Sequence, residues 1–171
     1  MDATQTELRG GSLVAIRSIR REDLELERRF VDSLSPRTGY LRLLSGRRPT
    51  AAELEHWTGV DLAREFAFVA LAVEGDGERM VGVSRCALDS EDPSRWDFAV
   101  VVADAWQRRG LGAALLRRLI TQADQRGVVL LSSVTLAENR GMLALALSLG
   151  FTARREFGDA TLLRIERRLH D

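Results

Sequence analysis

Apolar residues along this chain come in two rhythms. From Glu22 to Leu34 they recur at helical spacing, with Leu24, Leu26, Phe30, Val31 and Leu34 forming one stripe among charged neighbours. Ser35-Pro36 opens a second helix, because Ser is a favoured N-cap and the fixed φ of Pro suits the first helical position. Tyr40, Leu43 and Leu44 supply its inner face. Thr50-Ala51-Ala52-Glu53 has capping-box spacing ahead of Leu54 and Trp57, which predicts a third short helix stopped by Gly59. The second rhythm is that of strands. Leu13 to Ile19 reads as a first strand, and Phe66 to Val73 with Met80 to Leu88 as a hairpin around Gly75-Asp76-Gly77. A polar break at Ser90 to Ser94 leads to a further strand, Trp96 to Val102. Helical spacing then returns from Leu111 to Gln125, with Leu111, Leu115, Leu116, Leu119 and Ile120 on one face and Gly127 as the stop. Val128 to Val134 reads as a buried strand and Asn139 to Leu149 as a helix. Phe151 to Phe157 and Thr161 to Leu169 close the chain as a hairpin around Gly158-Asp159. The order predicts an α/β fold, with antiparallel strands first and a β-loop-α-β-α unit after them. Residues 1 to 12 are polar and end in Gly10-Gly11. They are expected to be a mobile tail ahead of one domain over residues 13–171.

Composition narrows the chemistry. The 171 residues suit a single domain with a substantial core. Twenty-five basic residues balance 25 acidic ones, so no excess field points to nucleic acid or an anionic membrane as partner. Every basic residue is Arg, a bias that reads as genome composition more than chemistry. Without lysine the chain cannot modify its own side-chain amines. The single Cys86 excludes an internal disulfide, and His56 and His170 stand too far apart for metal-ligand spacing, so no metal site is expected. No run of about 18 apolar residues and no signal-peptide pattern occurs, which makes the cytoplasm the expected location.

The segment Gln107-Arg108-Arg109-Gly110-Leu111-Gly112 joins the last strand before it to the long amphipathic helix. A helix start carries backbone N–H groups without intrahelical partners and partial positive charge, so anions settle there. Gly110 and Gly112 lack the Cβ that would hinder a phosphate from approaching the backbone. Two rival phosphate loops fail. Walker A requires a Lys, and the dinucleotide fingerprint would place its third small residue where Leu115 stands.

This loop, together with Leu136-Ala137-Glu138-Asn139-Arg140-Gly141-Met142 and Leu149-Gly150-Phe151, resembles the GNAT superfamily of acetyl-CoA-dependent N-acetyltransferases. Ile16-Arg17-Ser18-Ile19-Arg20-Arg21-Glu22-Asp23, Leu34-Ser35-Pro36 and Tyr40-Leu41-Arg42 look like the opening of the acetyltransferase domain of bacterial Pat-type protein lysine acetyltransferases. The resemblance runs from about residue 14 to residue 169 and implies a GNAT fold with a mixed central sheet. It further implies that Gln107, Arg108, Arg109, Gly110, Leu111, Gly112 and Ala113 cradle the CoA diphosphate. Val100, Val101 and Val102 would offer backbone groups to the pantetheine arm and the acetyl carbonyl, and Asn139 and Met142 would meet the CoA arm. Asn139 also fits a plain helix N-cap, and both roles can coexist. Arg108 stands where Pat-type domains usually carry Gly, and either adds a cation beside the diphosphate or points into water.

Asp97 replaces the family Glu in Trp96-Asp97-Phe98-Ala99, one methylene shorter. It is either the base that takes the acceptor's proton, directly or through one water, or a carboxylate paired with Arg85 or Arg95. The position seven residues after Asn139, where many GNAT enzymes carry a Tyr, is Ala146. The only tyrosine is Tyr40. Cys86, Trp57, Trp96 and Trp106 read as packing. The expected acceptor is a protein lysine side chain, reached in a ternary complex by a monomer or homodimer. A small amine such as a polyamine or aminoglycoside is the alternative acceptor, and a catalytically decayed CoA-binding sensor the alternative class.

Overall fold

Side-chain alternation gives the central sheet two dissimilar covers. In strand β3 (Glu65–Glu74) every residue from Phe66 to Ala72 is buried, as a strand covered on both faces must be. Phe66, Phe68, Ala70 and Ala72 join a core with helix α4 (Leu111–Gln125), while Ala67, Val69 and Leu71 join a second core with Phe30 of helix α1 (Leu24–Ser33). The computed structural model describes residues 3–171. It completes the sheet with β1 (Thr4–Glu7), β2 (Leu13–Ser18), β4 (Gly77–Leu88), β5 (Arg95–Val102), β6 (Leu130–Leu136), β7 (Thr152–Glu156) and β8 (Asp159–Arg168). The strand order is β1-β2-β3-β4-β5-β6-β8-β7, and among the described residues β5 with β6 is the one parallel pair. This is the mixed α/β sheet that the element order predicts. Among the described residues no helix is long and apolar enough to cross a membrane.

The expected mobile tail needs correction. Thr4–Glu7 pairs with β2 from Thr4↔Ile16 to Glu7↔Leu13, Leu8 is buried, and the Arg9 N–H donates to the Arg109 carbonyl at 3.0 Å. Polar sequence did not prevent this, because an edge strand is held by backbone hydrogen bonds that are indifferent to side-chain hydropathy. Met1 and Asp2 lie outside the described residues.

Helices α2 (Pro36–Leu43) and α3 (Ala51–Thr58), which pack with α1, start as their caps predict. The Ser35 Oγ accepts from the Thr38 N–H at 3.2 Å, and Thr50 with Glu53 forms the capping box. Asp23 fixes the entry to α1 by accepting two 2.7 Å bonds from the Arg17 guanidinium and one from the Arg20 N–H. The three helices meet at Glu27, whose side chain is fully buried. Glu27 Oε1 lies 2.8 Å from Arg85 of β4 and 3.5 Å from Arg42 of α2, and Arg42 stacks over Trp57 of α3 at 4.1 Å. Burial pushes the Arg42 guanidinium down to about 10, against Glu27 and with Arg85, so it stays charged at neutral pH. Removing one partner from such a cluster typically costs about 3–5 kcal/mol, because a buried charge is left uncompensated.

Candidate active site

β5 is paired along its whole length on one edge and only at its start on the other. Toward β4 the register runs unbroken from Leu88↔Trp96 to Gly82↔Val102, whereas toward β6 it holds only from Arg95↔Leu130 to Asp97↔Ser132. Beyond Asp97 the two strands part. The Asp89 N–H donates to the Arg95 carbonyl and the Ala103 N–H to the Val81 carbonyl, so odd-numbered residues of β5 turn their backbone groups to β4. By alternation Phe98, Val100 and Val102 turn theirs to the open edge, and the Val102 carbonyl there accepts from Gln107 Nε2 at 3.1 Å. Of the three valines expected to offer backbone groups, Val100 and Val102 therefore qualify. Val101 does not, since its backbone is spent on β4 and its side chain is buried in the core with α1.

A 3-10 turn (Asp104–Trp106) carries the chain from β5 to the loop. Gln107 and Arg108 are exposed, and Arg108 adopts a left-handed φ of 61°. Among the described residues Arg108 has no hydrogen-bond or ion-pair partner, which fits a side chain in water and a cation free for a diphosphate equally. Arg109 is tied inward instead. Its guanidinium lies 5.2 Å from the Trp106 ring centroid and 3.4 Å from Ser12 Oγ. Gly110 takes φ +88°, a conformation that side chains disfavour, and serves as the N-cap of α4 without any side-chain cap. The first intrahelical bond is donated by the Ala114 N–H to the Gly110 carbonyl, which leaves the N–H groups of Leu111, Gly112 and Ala113 ahead of it. Leu111 is buried in the core with α4. A Cβ on Gly112 would stand 3.3 Å from Leu145 Cδ2 and 3.8 Å from Val102 Cγ2. This glycine therefore lets the α4 start approach both β5 and helix α5 (Arg140–Ser148). The α5 start differs. Asn139 Oδ1 accepts from the Met142 N–H and Asn139 Nδ2 donates to Thr135 Oγ1, both at 3.2 Å, while Met142 packs against the core.

Asp97 is the last β5 residue paired with β6, at the point where the strands part. Neither arginine proposed as its partner takes it. Arg85 is bound to Glu27, and Arg95 donates to Asp89 at 2.6 and 2.8 Å. Among the described residues Asp97 has no ion pair. Asp97 is exposed, yet partial desolvation, then the negative charge of Asp89, pushes its carboxyl above the ordinary aspartate value, with Arg95 and Arg164 opposing. Cys86 is buried, and burial pushes its thiol up, which fits packing rather than nucleophilic chemistry. Ala146 is wholly buried, and Tyr40 sits exposed on α2. Among the described residues no group of three or more His, Cys, Asp or Glu is placed to hold a metal.

One part of the site gave no signal in the sequence. Asp104 accepts from the Ser35 N–H at 2.9 Å, the Ser35 hydroxyl at 2.7 Å and the Thr38 hydroxyl at 2.8 Å, across 66 to 69 positions of chain.

The sequence profile of the acetyltransferase (GNAT) family matches residues 28–151, a span that holds the parted strands, the loop and both helix starts. The chain belongs to the GNAT family. It is 41% identical over 153 residues to an acetyltransferase of Pseudomonas aeruginosa, covering 88% of this chain and 81% of that relative. Acetyltransferase Pat of Mycolicibacterium smegmatis is 29% identical over 150 residues, which cover 88% of this chain but only 44% of Pat. The GNAT domain of S. lividans Pat shares the fold, with a TM-score of 0.87 at 24% identity over 98% of this chain and 97% of that one. The protein is accordingly an acetyl-CoA-dependent N-acetyltransferase. Its residues suit that co-substrate, because an uncapped helix start accepts a diphosphate and the open edge of β5 offers backbone partners to an amide-bearing arm.

Proposed function

We propose that this GNAT enzyme acetylates a protein lysine side chain by direct attack in a ternary complex, with Asp97 as the base. The observation that carries the reading is the position of Asp97, exposed where β5 and β6 part, without an ion pair among the described residues and with raised proton affinity. Acetyl-CoA supplies the activated acetyl thioester. The N–H groups at the α4 start and Gly110 hold its diphosphate, and Val100 and Val102 align its arm along the open strand edge. A backbone N–H on that edge serves as oxyanion donor, a contribution typically worth about 10²- to 10³-fold in rate. A lysine ammonium, with a pKa near 10.4, must lose a proton before it attacks. The Asp97 carboxylate takes that proton directly or through one water, and its raised pKa makes it a stronger base than an ordinary aspartate. The choice of protein lysine rests on the Pat likeness, which extends through α1 and α2 beyond the cofactor loop.

Thiol release from acetyl-CoA, measured with a lysine-rich protein extract and separately with spermidine, tests the acceptor. Release with the extract supports the proposal, release with spermidine alone moves the acceptor to small amines, and binding without release makes the protein a CoA sensor. Asp97→Asn should lower kcat/KM by about 10²- to 10⁴-fold at nearly unchanged acetyl-CoA affinity. In the wild type kcat/KM should rise with pH as Asp97 ionises, with a midpoint above the ordinary aspartate range, and the Asn variant should lack that limb. A loss below about threefold would remove Asp97 from the mechanism.

A further inference from the structure

Helix α2 is pinned at both ends. Arg42, in its last turn, is buried against Glu27 and Trp57, and Ser35 and Thr38, at its start, are held by Asp104. The two pins differ in what lies behind them. Arg42 leads back into α1, α3 and β4. Asp104 belongs to the turn that carries β5 into the phosphate loop, three residues before Gln107. Thr38 closes the connection, since its Oγ1 donates to Asp104 and accepts from Gln107 Nε2 at 3.4 Å, while the same Nε2 donates to the Val102 carbonyl. One threonine hydroxyl therefore touches both the turn and the loop. The open edge of β5 is one bond further on. Asp104 suits this post. Burial would raise its carboxyl, but the Ser35 N–H and the Ser35 and Thr38 hydroxyls outweigh that and keep it low. The charge also faces the positive end of the α2 dipole.

The side of the sheet matters as well. Arg85 lies directly across from Ala99 and Ala87 across from Asp97, so Asp97, Ala99 and Arg85 share the face on which α1, α2 and α3 lie. On the reading of the cleft as an acetyl-CoA site, α2 walls the side from which the amine must reach Asp97.

We propose that Asp104 is a positioning residue that couples the phosphate loop to this acceptor-side wall, through Thr38 and Ser35. Acetyl-CoA at the loop holds Gln107 in the position it already takes against Thr38 and the Val102 carbonyl, and Gln107 and Asp104 together keep α2 in place for the amine. The coupling uses hydrogen bonds that are strongest while Asp104 is ionised, and its link to Gln107 needs the Thr38 hydroxyl.

Hydrogen–deuterium exchange of the full chain with and without saturating acetyl-CoA tests this, read in peptides covering residues 36–43 and 107–115. In the wild type acetyl-CoA should slow exchange in both segments, in α2 by about tenfold, a factor typical of coupled sites. In Asp104→Ala the loop should keep its protection, while that of α2 falls below about twofold. Asp104→Asn, which retains acceptor oxygen, should fall between them. Thr38→Val leaves the Asp104–Ser35 bonds in place but cuts the link to Gln107, so the loop should keep its protection while that of α2 falls part of the way toward the Asp104→Ala value, a graded loss that a folding defect would not give. Protection of α2 in Asp104→Ala equal to that of the wild type overturns the coupling alone. Absence of loop protection in the wild type overturns the placement of acetyl-CoA, and the coupling with it.

Discussion

Helices α4 and α5 follow the two strands that part at the cleft, and their first turns are built in opposite ways. α5 is closed by its own residue, because Asn139 Oδ1 takes the Met142 N–H. α4 starts from Gly110, which has no side chain to offer, in a left-handed conformation that a Cβ disfavours. Both starts carry unpartnered N–H groups and the positive end of a helix dipole. The identity of one residue decides whether that potential is satisfied within the protein or left for an anion. β5 repeats the contrast, with one edge closed by β4 and the other open past Asp97.

The strongest way to break this contrast is to give α4 the kind of start that α5 has. Gly110→Asp places a carboxylate over the α4 N–H groups, where it caps the helix and repels a diphosphate. Two like charges about 4 Å apart in a partly shielded site repel by roughly 4 kcal/mol, so the acetyl-CoA dissociation constant should rise at least about 100-fold. Stability should change little, because Asp tolerates positive φ better than most residues and the new cap offsets the strain. Gly110→Asn separates the two effects, since it caps without charge and should cost about tenfold. Calorimetric titration with acetyl-CoA reads both variants. Wild-type affinity in Gly110→Asp would place the diphosphate elsewhere.

How far this site could be read from sequence follows the range of the forces that build it. The apolar stripe of α4, the Thr50–Glu53 capping box and the glycine-bearing loop are local patterns, and each appears where the pattern puts it. The start of β6 moves from Val128 to Leu130, because the Val128 N–H is used to close α4 on the Ala123 carbonyl. Long-range choices were not legible. Arg85 was a reasonable partner for Asp97, two positions away on the facing strand, yet it goes to Glu27, 58 positions back in the chain. Asp104 and Thr38 show no pattern in sequence, since their contact exists only after α2 has packed beside the turn. The N-terminal arm was hidden for the reverse reason. Its strand is made by backbone bonds, of which side-chain hydropathy is a poor guide.

A smaller effect is expected at the closed helix start. Asn139→Ala removes the cap and should cost about 0.5–2 kcal/mol. In a chain of this size that lowers the melting temperature by roughly 2–4 °C per kcal/mol. Asn139→Ser keeps a capping oxygen but lacks the amide N–H that donates to Thr135, and should recover most of that loss. Both ends of the Asn139 amide are engaged within the protein, so the Ser variant should hold acetyl-CoA within about threefold of wild type. A tenfold loss with normal stability would instead assign the amide to the CoA arm, and the two helix starts would then share the co-substrate.

The smallest effect belongs to Arg108, the exposed residue next to the open start. Arg108→Gly removes a cation and puts the residue best suited to positive φ into a position already at 61°. The two consequences for stability oppose each other. Relief of a left-handed side chain contributes about 1–2 kcal/mol, and the extra chain entropy of Gly takes back about 0.5–1 kcal/mol. For affinity, a solvated charge about 8 Å from a phosphate attracts it by roughly 0.5 kcal/mol in water, less in salt, so acetyl-CoA binding should weaken by no more than about twofold. Titrations at 50 and 300 mM salt sharpen the test. If the helix start carries the anion, wild type and variant should show nearly the same salt dependence, because backbone dipoles dominate in both. A tenfold loss in the variant, erased at high salt, would show that the guanidinium reaches the diphosphate. The open start of α4 would then hold its anion with help, and the contrast with α5 would rest on two residues instead of one.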